Sequence, residues 1–215
     1  MGLKKETAEL IASICQSSDS SGSLRVLDVG CGDKTYMKFV GDNEYIGIDV
    51  EVSGRADSKK LPDIIFNGQD IPLKDNSVDI ILFLEVLEHV TKPDDLMIDI
   101  NRVLKDSGTL ILSVPFIWPL HEEPYDFRRF THYGIQAFAR KFGFEVKKIS
   151  QLHTGWLGIS KLFNSLSQKN DKINFIVLKF MAILSRAMSY ILRESIPEFY
   201  LTNLVTLQKG KKVLN

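Results

Sequence analysis

The sequence predicts an α/β fold with a mostly parallel sheet, and three observations carry that prediction. Short apolar runs recur at 24–29, 45–48, 64–66, 78–84 and 109–114, the length and composition of strands buried on both faces. Helical patterns fall between several of them, so the alternation reads as strands joined by right-handed crossovers. The first run ends in glycine, and the turn that follows carries a second one.

Each element can be justified in order. Residues 1–20 spread Lys4, Lys5, Glu6 and Glu9 among apolar positions, which predicts an amphipathic helix and excludes the unbroken apolar core of a signal peptide. A serine-rich linker at 17–23 leads to the first strand. Between the fourth and fifth runs, residues 93–104 place Leu96, Ile100, Val103 and Leu104 at helical spacing, with Ser107-Gly108 read as its close. A helix over 133–142, a strand over 145–149 and a last strand over 201–207 complete the pattern.

The chain has 215 residues, of which 44% are hydrophobic, enough for one substantial core and short for two. A single domain over 1–215 is therefore expected: the N-terminal helix (1–20), a core (24–150), a helical insertion (156–197) and a final strand (200–208). Lysine plus arginine equals aspartate plus glutamate at 27 each, so nothing attracts a polyanion and no nucleic-acid partner is expected. Cys15 and Cys31 are read as free thiols in a reducing compartment, which makes the cytoplasm the expected location.

The residues that carry chemistry begin with Asp28-Val29-Gly30-Cys31-Gly32. Two glycines at this spacing let backbone amides approach a ligand that a Cβ would block. The second strand then ends in Gly47-Ile48-Asp49, which puts a carboxylate where both hydroxyls of a ribose could donate to it. A dinucleotide oxidoreductase would need glycine at Thr35 to complete its fingerprint. The missing glycine favours a nucleoside without a diphosphate.

Five stretches in order, Val26-Leu27-Asp28-Val29-Gly30-Cys31-Gly32, Ile46-Gly47-Ile48-Asp49, Ile71-Pro72-Leu73 with Asn76-Ser77-Val78-Asp79, Leu84-Glu85-Val86-Leu87-Glu88-His89-Val90, and Val103-Leu104-Lys105-Asp106-Ser107-Gly108, resemble the class I S-adenosylmethionine-dependent methyltransferases. The resemblance implies a Rossmann-like three-layer sandwich whose seven-stranded sheet is mostly parallel, with an antiparallel last strand and a helical insertion before it. It further implies S-adenosylmethionine as cofactor, with S-adenosylhomocysteine as product. Asp28, Gly30, Cys31 and Gly32 would line the methionine and ribose side, Asp49 would hold the ribose, and Glu85 would lie near the methionine portion. Asn67 and Gly68 stand where the family carries an acidic residue and its neighbour against the adenine. Lys34 replaces a glycine common in the family. His89 is a candidate for cofactor contact or for capping its turn.

After the fifth strand, the stretch 115–132 combines aromatic residues with His121, Glu122, Glu123, Asp126, Arg128 and Arg129. Strand ends of this polarity face the ligand crevice, so the loop is positioned to meet an acceptor. His121 is the first choice of general base, followed by Glu123 and Asp126. The same residues could instead fold the loop, Asp126 pairing with an arginine while Tyr125 and Phe127 pack it down. A metal site from His121, Glu122 and His132 has no spacing that fixes ligand geometry, and no metal is assigned.

Within the insertion Lys172, Lys179, Arg186 and Arg193 recur every seven residues, one basic edge beside a wide apolar surface. That pattern suits a helix packed on the domain or on a second copy in a homodimer, or peripheral contact of 172–193 with the inner face of an anionic membrane. The acceptor is expected to be a small molecule, a saccharide or a lipid-linked compound. A module that binds S-adenosylmethionine without turnover is the alternative.

Overall fold

Neighbouring residues on a strand point to opposite sides of a sheet, and here the two sides bury different cores. Leu27, Ile81, Phe83, Leu110 and Leu112 go to one face, while Val26, Ile80, Leu82 and Ile111 go to the other. The uninterrupted apolar runs of the sequence follow from this double burial. The computed structural model describes residues 2–17, 22–52, 61–167, 172–191 and 199–210.

In chain order the elements are α1 (Gly2–Ser17), β1 (Arg25–Val29), β2 (Glu44–Val50), β3 (Ile64–Phe66), β4 (Val78–Leu84), α2 (Pro93–Val103), β5 (Leu104–Pro115), α3 (His132–Lys141), β6 (Phe144–Leu152), α4 (Gly155–Ser167), α5 (Lys172–Ile191) and β7 (Thr202–Lys209). The seven strands form one sheet in the order β3-β2-β1-β4-β5-β7-β6. Pairs from β3 through β5 are parallel, and β7 runs antiparallel to both β5 and β6. This is the three-layer, mostly parallel architecture expected.

One face is covered by α2, through buried Leu96, Met97, Ile100 and Val103, and by α3, through Ile135 and Ala139. Each such large aliphatic side chain contributes about 2 kcal/mol by leaving water. The opposite face receives Ile11, with Leu10, Ile14 and Cys15 of α1 packed alongside. Strand order reverses between β1 and β4, and in open α/β sheets the crevice at such a reversal, beyond the carboxyl ends of the strands, is where ligands bind.

One local reading is corrected, and two further features lay beyond the sequence pattern. The helix α2 ends at Val103, because Leu104 already pairs with Val78; Ser107, at φ 62°, then lies within β5 rather than closing a helix. Between β1 and β2 there is no α-helix, only a 3-10 turn at Met37–Phe39. In the insertion, α5 lies against α4 through small residues: Ala182 and Ser185 are buried, and the Ser160 hydroxyl donates to the Ala182 carbonyl at 2.7 Å.

That packing leaves Ile176, Val177, Phe180, Ile183, Leu184 and Ile191 exposed. Lys179 does not extend the expected basic edge, because its ammonium donates to Asn164 at 2.9 Å and lies over the Phe175 ring. Arg193, the Lys172 side chain and most of the serine linker lie outside the described residues. No helix among the described residues is long and apolar enough to cross a membrane.

Candidate active site

The turn after β1 is built by packing and by hydrogen bonds to β2. Gly30 has φ 75°, and a Cβ there would lie 2.5 Å from Val86 Cγ2, in the turn that follows β4. The Gly30 and Cys31 amides both donate to the Ile48 carbonyl, at 2.8 and 3.0 Å. The Gly32 amide donates to Asp49 Oδ2 at 2.8 Å. This corrects the expectation that these amides point at a ligand: stitching two adjacent parallel strands together uses them. What the turn offers a ligand is shape and the carboxylates around it.

Lys34, in place of a third glycine, keeps a glycine-like backbone at φ 56°. Its ammonium pairs with Asp63 at 2.5 Å, and Asp63 also accepts from the Gly47 amide at 2.8 Å. The departure from the family pattern is thus absorbed locally. Gly47 is needed for a separate reason, since a Cβ there would meet Cys31 Sγ at 2.8 Å. Burial, with Asp28 and Asp49 nearby, pushes the Cys31 thiol up to about 12, so Cys31 shapes the wall as a neutral group.

Asp28 and Asp49 close adjacent strands, both buried. Asp28 accepts from the Tyr45 hydroxyl at 2.6 Å. Burial raises its pKa to about 7, opposed by that hydrogen bond and reinforced by Asp49 and Asp33. A carboxyl whose folded pKa lies above its unfolded value favours the fold while protonated, and this contribution is lost as pH rises from about 4 through about 7. The variant Asp28→Asn is therefore expected to gain on the order of 3 kcal/mol over the parent between pH 5 and pH 8 without ligand. Chemical denaturation of both proteins at the two pH values measures this; an equal difference at both would refute it.

At the edge of the crevice, Asn67 Oδ1 accepts from the Gln69 and Asp70 amides at 2.9 and 2.8 Å, and its amide donates to Asp70 at 2.7 Å. Its oxygen holds the turn, and Gly68 follows at φ 81°.

Glu85 leaves β4 at φ 55°, its amide donating to the Ser113 carbonyl and hydroxyl, both at 3.1 Å. Beyond it a second cluster forms. His89 Nδ1 lies 2.7 Å from the Tyr125 carbonyl, which can only accept, so that nitrogen carries the proton. His121 Nδ1 lies 3.1 Å from Asp126 Oδ2. The two imidazoles meet edge to face at 4.8 Å.

The loop is held from several sides. Arg129 makes a double hydrogen bond to Asp126, at 2.7 Å for the Nη2 contact, and reaches the Trp118 carbonyl. Arg128 donates to the Val90 carbonyl. Asp126, with 1% of its side chain exposed, is held at about 2 by these partners against the opposing effect of burial. Its position is that of a residue orienting His121. Tyr125 and Phe127, by contrast, stay exposed and do not pack the loop down.

Of the three candidate catalytic residues, His121 and Asp126 come together, while Glu123 is exposed beside a cis peptide bond to Pro124. Glu88 was not singled out by sequence, yet it is completely buried, and neither carboxylate oxygen has a hydrogen-bond partner in another residue. Its place beside His89 was the available signal. His132 lies apart, against Tyr133 and Tyr200.

The geometry is a Rossmann-like fold with buried Asp28 and Asp49 near the carboxyl ends of β1 and β2, beside the reversal of strand order between β1 and β4. Residues 27–112 match the family model described as a methyltransferase domain, and the fold is similar to those of solved S-adenosylmethionine-dependent methyltransferases from Aquifex aeolicus and Archaeoglobus fulgidus. An uncharacterized protein of Methanocaldococcus jannaschii is 31% identical over 105 residues, 46% of this chain and 50% of that protein. The chain spans about half the length of the curated relatives it matches.

Among solved structures, the [4+2]-cyclase SpnF is similar in fold, with TM-score 0.61 and 18% identity over 94% of this chain and 80% of that one. The phosphoethanolamine N-methyltransferase 2 of Haemonchus contortus, solved with phosphomonomethylethanolamine and S-adenosylhomocysteine, gives TM-score 0.57 and 14% identity over 96% of this chain and 53% of that one.

Proposed function

We propose that residues 1–215 act as one domain that binds S-adenosylmethionine and passes its methyl group to a small-molecule, saccharide or lipid-linked acceptor, in the cytoplasm or at the inner face of the membrane. The observation that carries this reading is the contact between Asp49 and the Gly32 amide, which brings the end of β2 against the glycine turn of β1. The donor set fits the cofactor. Asp28, Asp49 and Glu85 are acceptors around one crevice, suited to ribose hydroxyls and to a ligand carrying positive charge. Cys31 and Gly68 would line it, with Asn67 shaping the adenine edge.

When bound, the cofactor supplies an activated methyl group on a sulfonium. The protein's part is to align the acceptor, exclude water and take up a proton where the acceptor is a hydroxyl. Asp126 accepts from the His121 backbone amide and stands 3.1 Å from its Nδ1, leaving Nε2 as the candidate proton acceptor, and His89 braces the loop through Tyr125. Burial lowers the His121 pKa, opposed by Asp126 and reinforced by His89, which keeps the ring neutral and able to accept. The exposed apolar face of α5 is the segment we assign to contact with a lipid-linked acceptor's membrane or a second copy.

Incubating cell extract with the protein and methyl-labelled cofactor, followed by untargeted mass spectrometry, tests the transfer. A labelled product absent from a heat-killed control supports it, whereas S-adenosylhomocysteine binding with no transfer would leave a silent binding module. On the acceptor so found, His121→Ala is expected to lower kcat by about 100-fold or more; full turnover would remove His121 from catalysis.

A further inference from the structure

The cluster beyond β4 brings Glu88, His89 and His121 together, with Glu122 Oε2 3.9 Å from His89 Nε2. Glu88 Oε1 lies 3.7 Å from His89 Nε2 and 3.9 Å from His121 Nε2. The Nδ1 proton of His89 is committed to the Tyr125 carbonyl, and Nδ1 of His121 faces the Asp126 carboxylate, itself held by Arg129. Both Nε2 atoms therefore face Glu88, and His89 Nε2, the nitrogen that does not bond Tyr125, can present a lone pair to it. Glu88 is fully buried with no partner for its carboxylate in another residue. Arg129, the cation whose field reaches Glu88, is spent on Asp126 and the Trp118 carbonyl.

We infer that Glu88, His89 and His121 bind a divalent transition-metal ion. Their ligand atoms lie within 4.8 Å of one another. A tetrahedral ion with bonds near 2.0–2.1 Å separates its ligands by about 3.4 Å, so small side-chain rotations close the site. Two imidazoles and one carboxylate favour zinc, cobalt, manganese or iron over magnesium. The hydrogen bond between His89 Nδ1 and the Tyr125 carbonyl is the support that ligating histidines usually have, and Asp126 stands 3.1 Å from Nδ1 of His121. With three protein ligands, a coordination position remains for an exchangeable oxygen. There an acceptor hydroxyl would ionise and lose its proton to solvent, and His121 would serve as ligand instead of proton acceptor. This use of the ion rests on the methyl-transfer reading above; the ion site does not.

The test uses untagged full-length protein, stripped with a chelator and titrated with cobalt chloride. Visible ligand-field bands of a low-coordinate site are expected, and zinc chloride should abolish them by displacement while magnesium chloride does not. Calorimetry with zinc should show affinity about 100-fold weaker in Glu88→Gln and in His121→Ala. Circular dichroism checks that each variant folds, and if the buried Gln variant does not, His121→Ala decides. Absent bands, or zinc binding equal in parent and folded variant, would overturn the site. S-adenosylhomocysteine binding on the same samples is read separately: if it persists while cobalt fails to bind, only the ion is refuted, and if it is lost, the cofactor reading fails by itself.

Discussion

The variant Asp49→Ala is expected to bind S-adenosylhomocysteine about 100-fold more weakly than the parent. Asp49 is 7% exposed and already accepts from the amides of Gly32 and Val50, at 2.8 and 2.7 Å. Those two bonds, one to each carboxylate oxygen, fix its orientation at the end of β2, and a carboxylate offers about four lone-pair sites in all. Hydrogen bonds to a charged acceptor are worth about 1.5–3 kcal/mol each, and two of them amount to at least two decades of affinity. Isothermal titration measures the loss. Asp49→Asn, which keeps one acceptor oxygen, should fall between the two, and unchanged binding in Asp49→Ala would remove this residue as the ribose seat.

Gly30→Ala is expected to destabilise the protein by about 2–4 kcal/mol, combining the left-handed backbone penalty with overpacking. The added methyl would sit 2.5 Å from Val86 Cγ2, so β1 and the turn after β4 would have to separate. Gly41→Ala is the control: its φ is 64°, and a Cβ there has nothing within 4 Å, leaving the backbone penalty of about 1–2 kcal/mol alone. Denaturant unfolding of the two variants separates strain from collision. Equal losses would show that Val86 is not what requires glycine at 30.

The sequence reveals the first half of the sheet and its crevice because burial on both faces writes a local signal: an apolar run, then a glycine turn, then a carboxylate one strand later. Asp28, Gly30 and Asp49 are found this way and do lie together. What it hides is the use made of the amides, since Gly30 and Cys31 donate to Ile48 only once β2 lies alongside β1. Glu88 is hidden for a similar reason. Its surroundings come from His121 and Asp126, on a loop brought over the end of β4 by Arg128, and no period along the chain encodes that approach.

The insertion shows a different limit. Heptad spacing of the basic residues was correct as arithmetic, but α5 meets α4 through Ala182 and Ser185, and small residues carry little weight in an apolar periodicity. The turn between β1 and β2 lacks an α-helix because Asp33, Lys34 and Thr35 are taken up in a local turn, the Thr35 amide and hydroxyl both bonding Asp33.

Because β7 lies between β5 and β6, a ribosome must release residues 202–209 before the far side of the sheet can close. Residues 109–113 pair with 80–84 on one side, but on the other side 109–115 pair with 202–208, and long-range pairings of this kind are slow to form. The loop over 116–132 depends on neighbouring residues of the same segment: the His132 amide donates to the Tyr200 hydroxyl, the Asn203 side chain to the Phe130 carbonyl, and the Phe116 amide to the Leu201 carbonyl. During translation the half carrying the glycine turn can assemble early, whereas the half to which we assign the acceptor is completed only after residues 202–209 emerge.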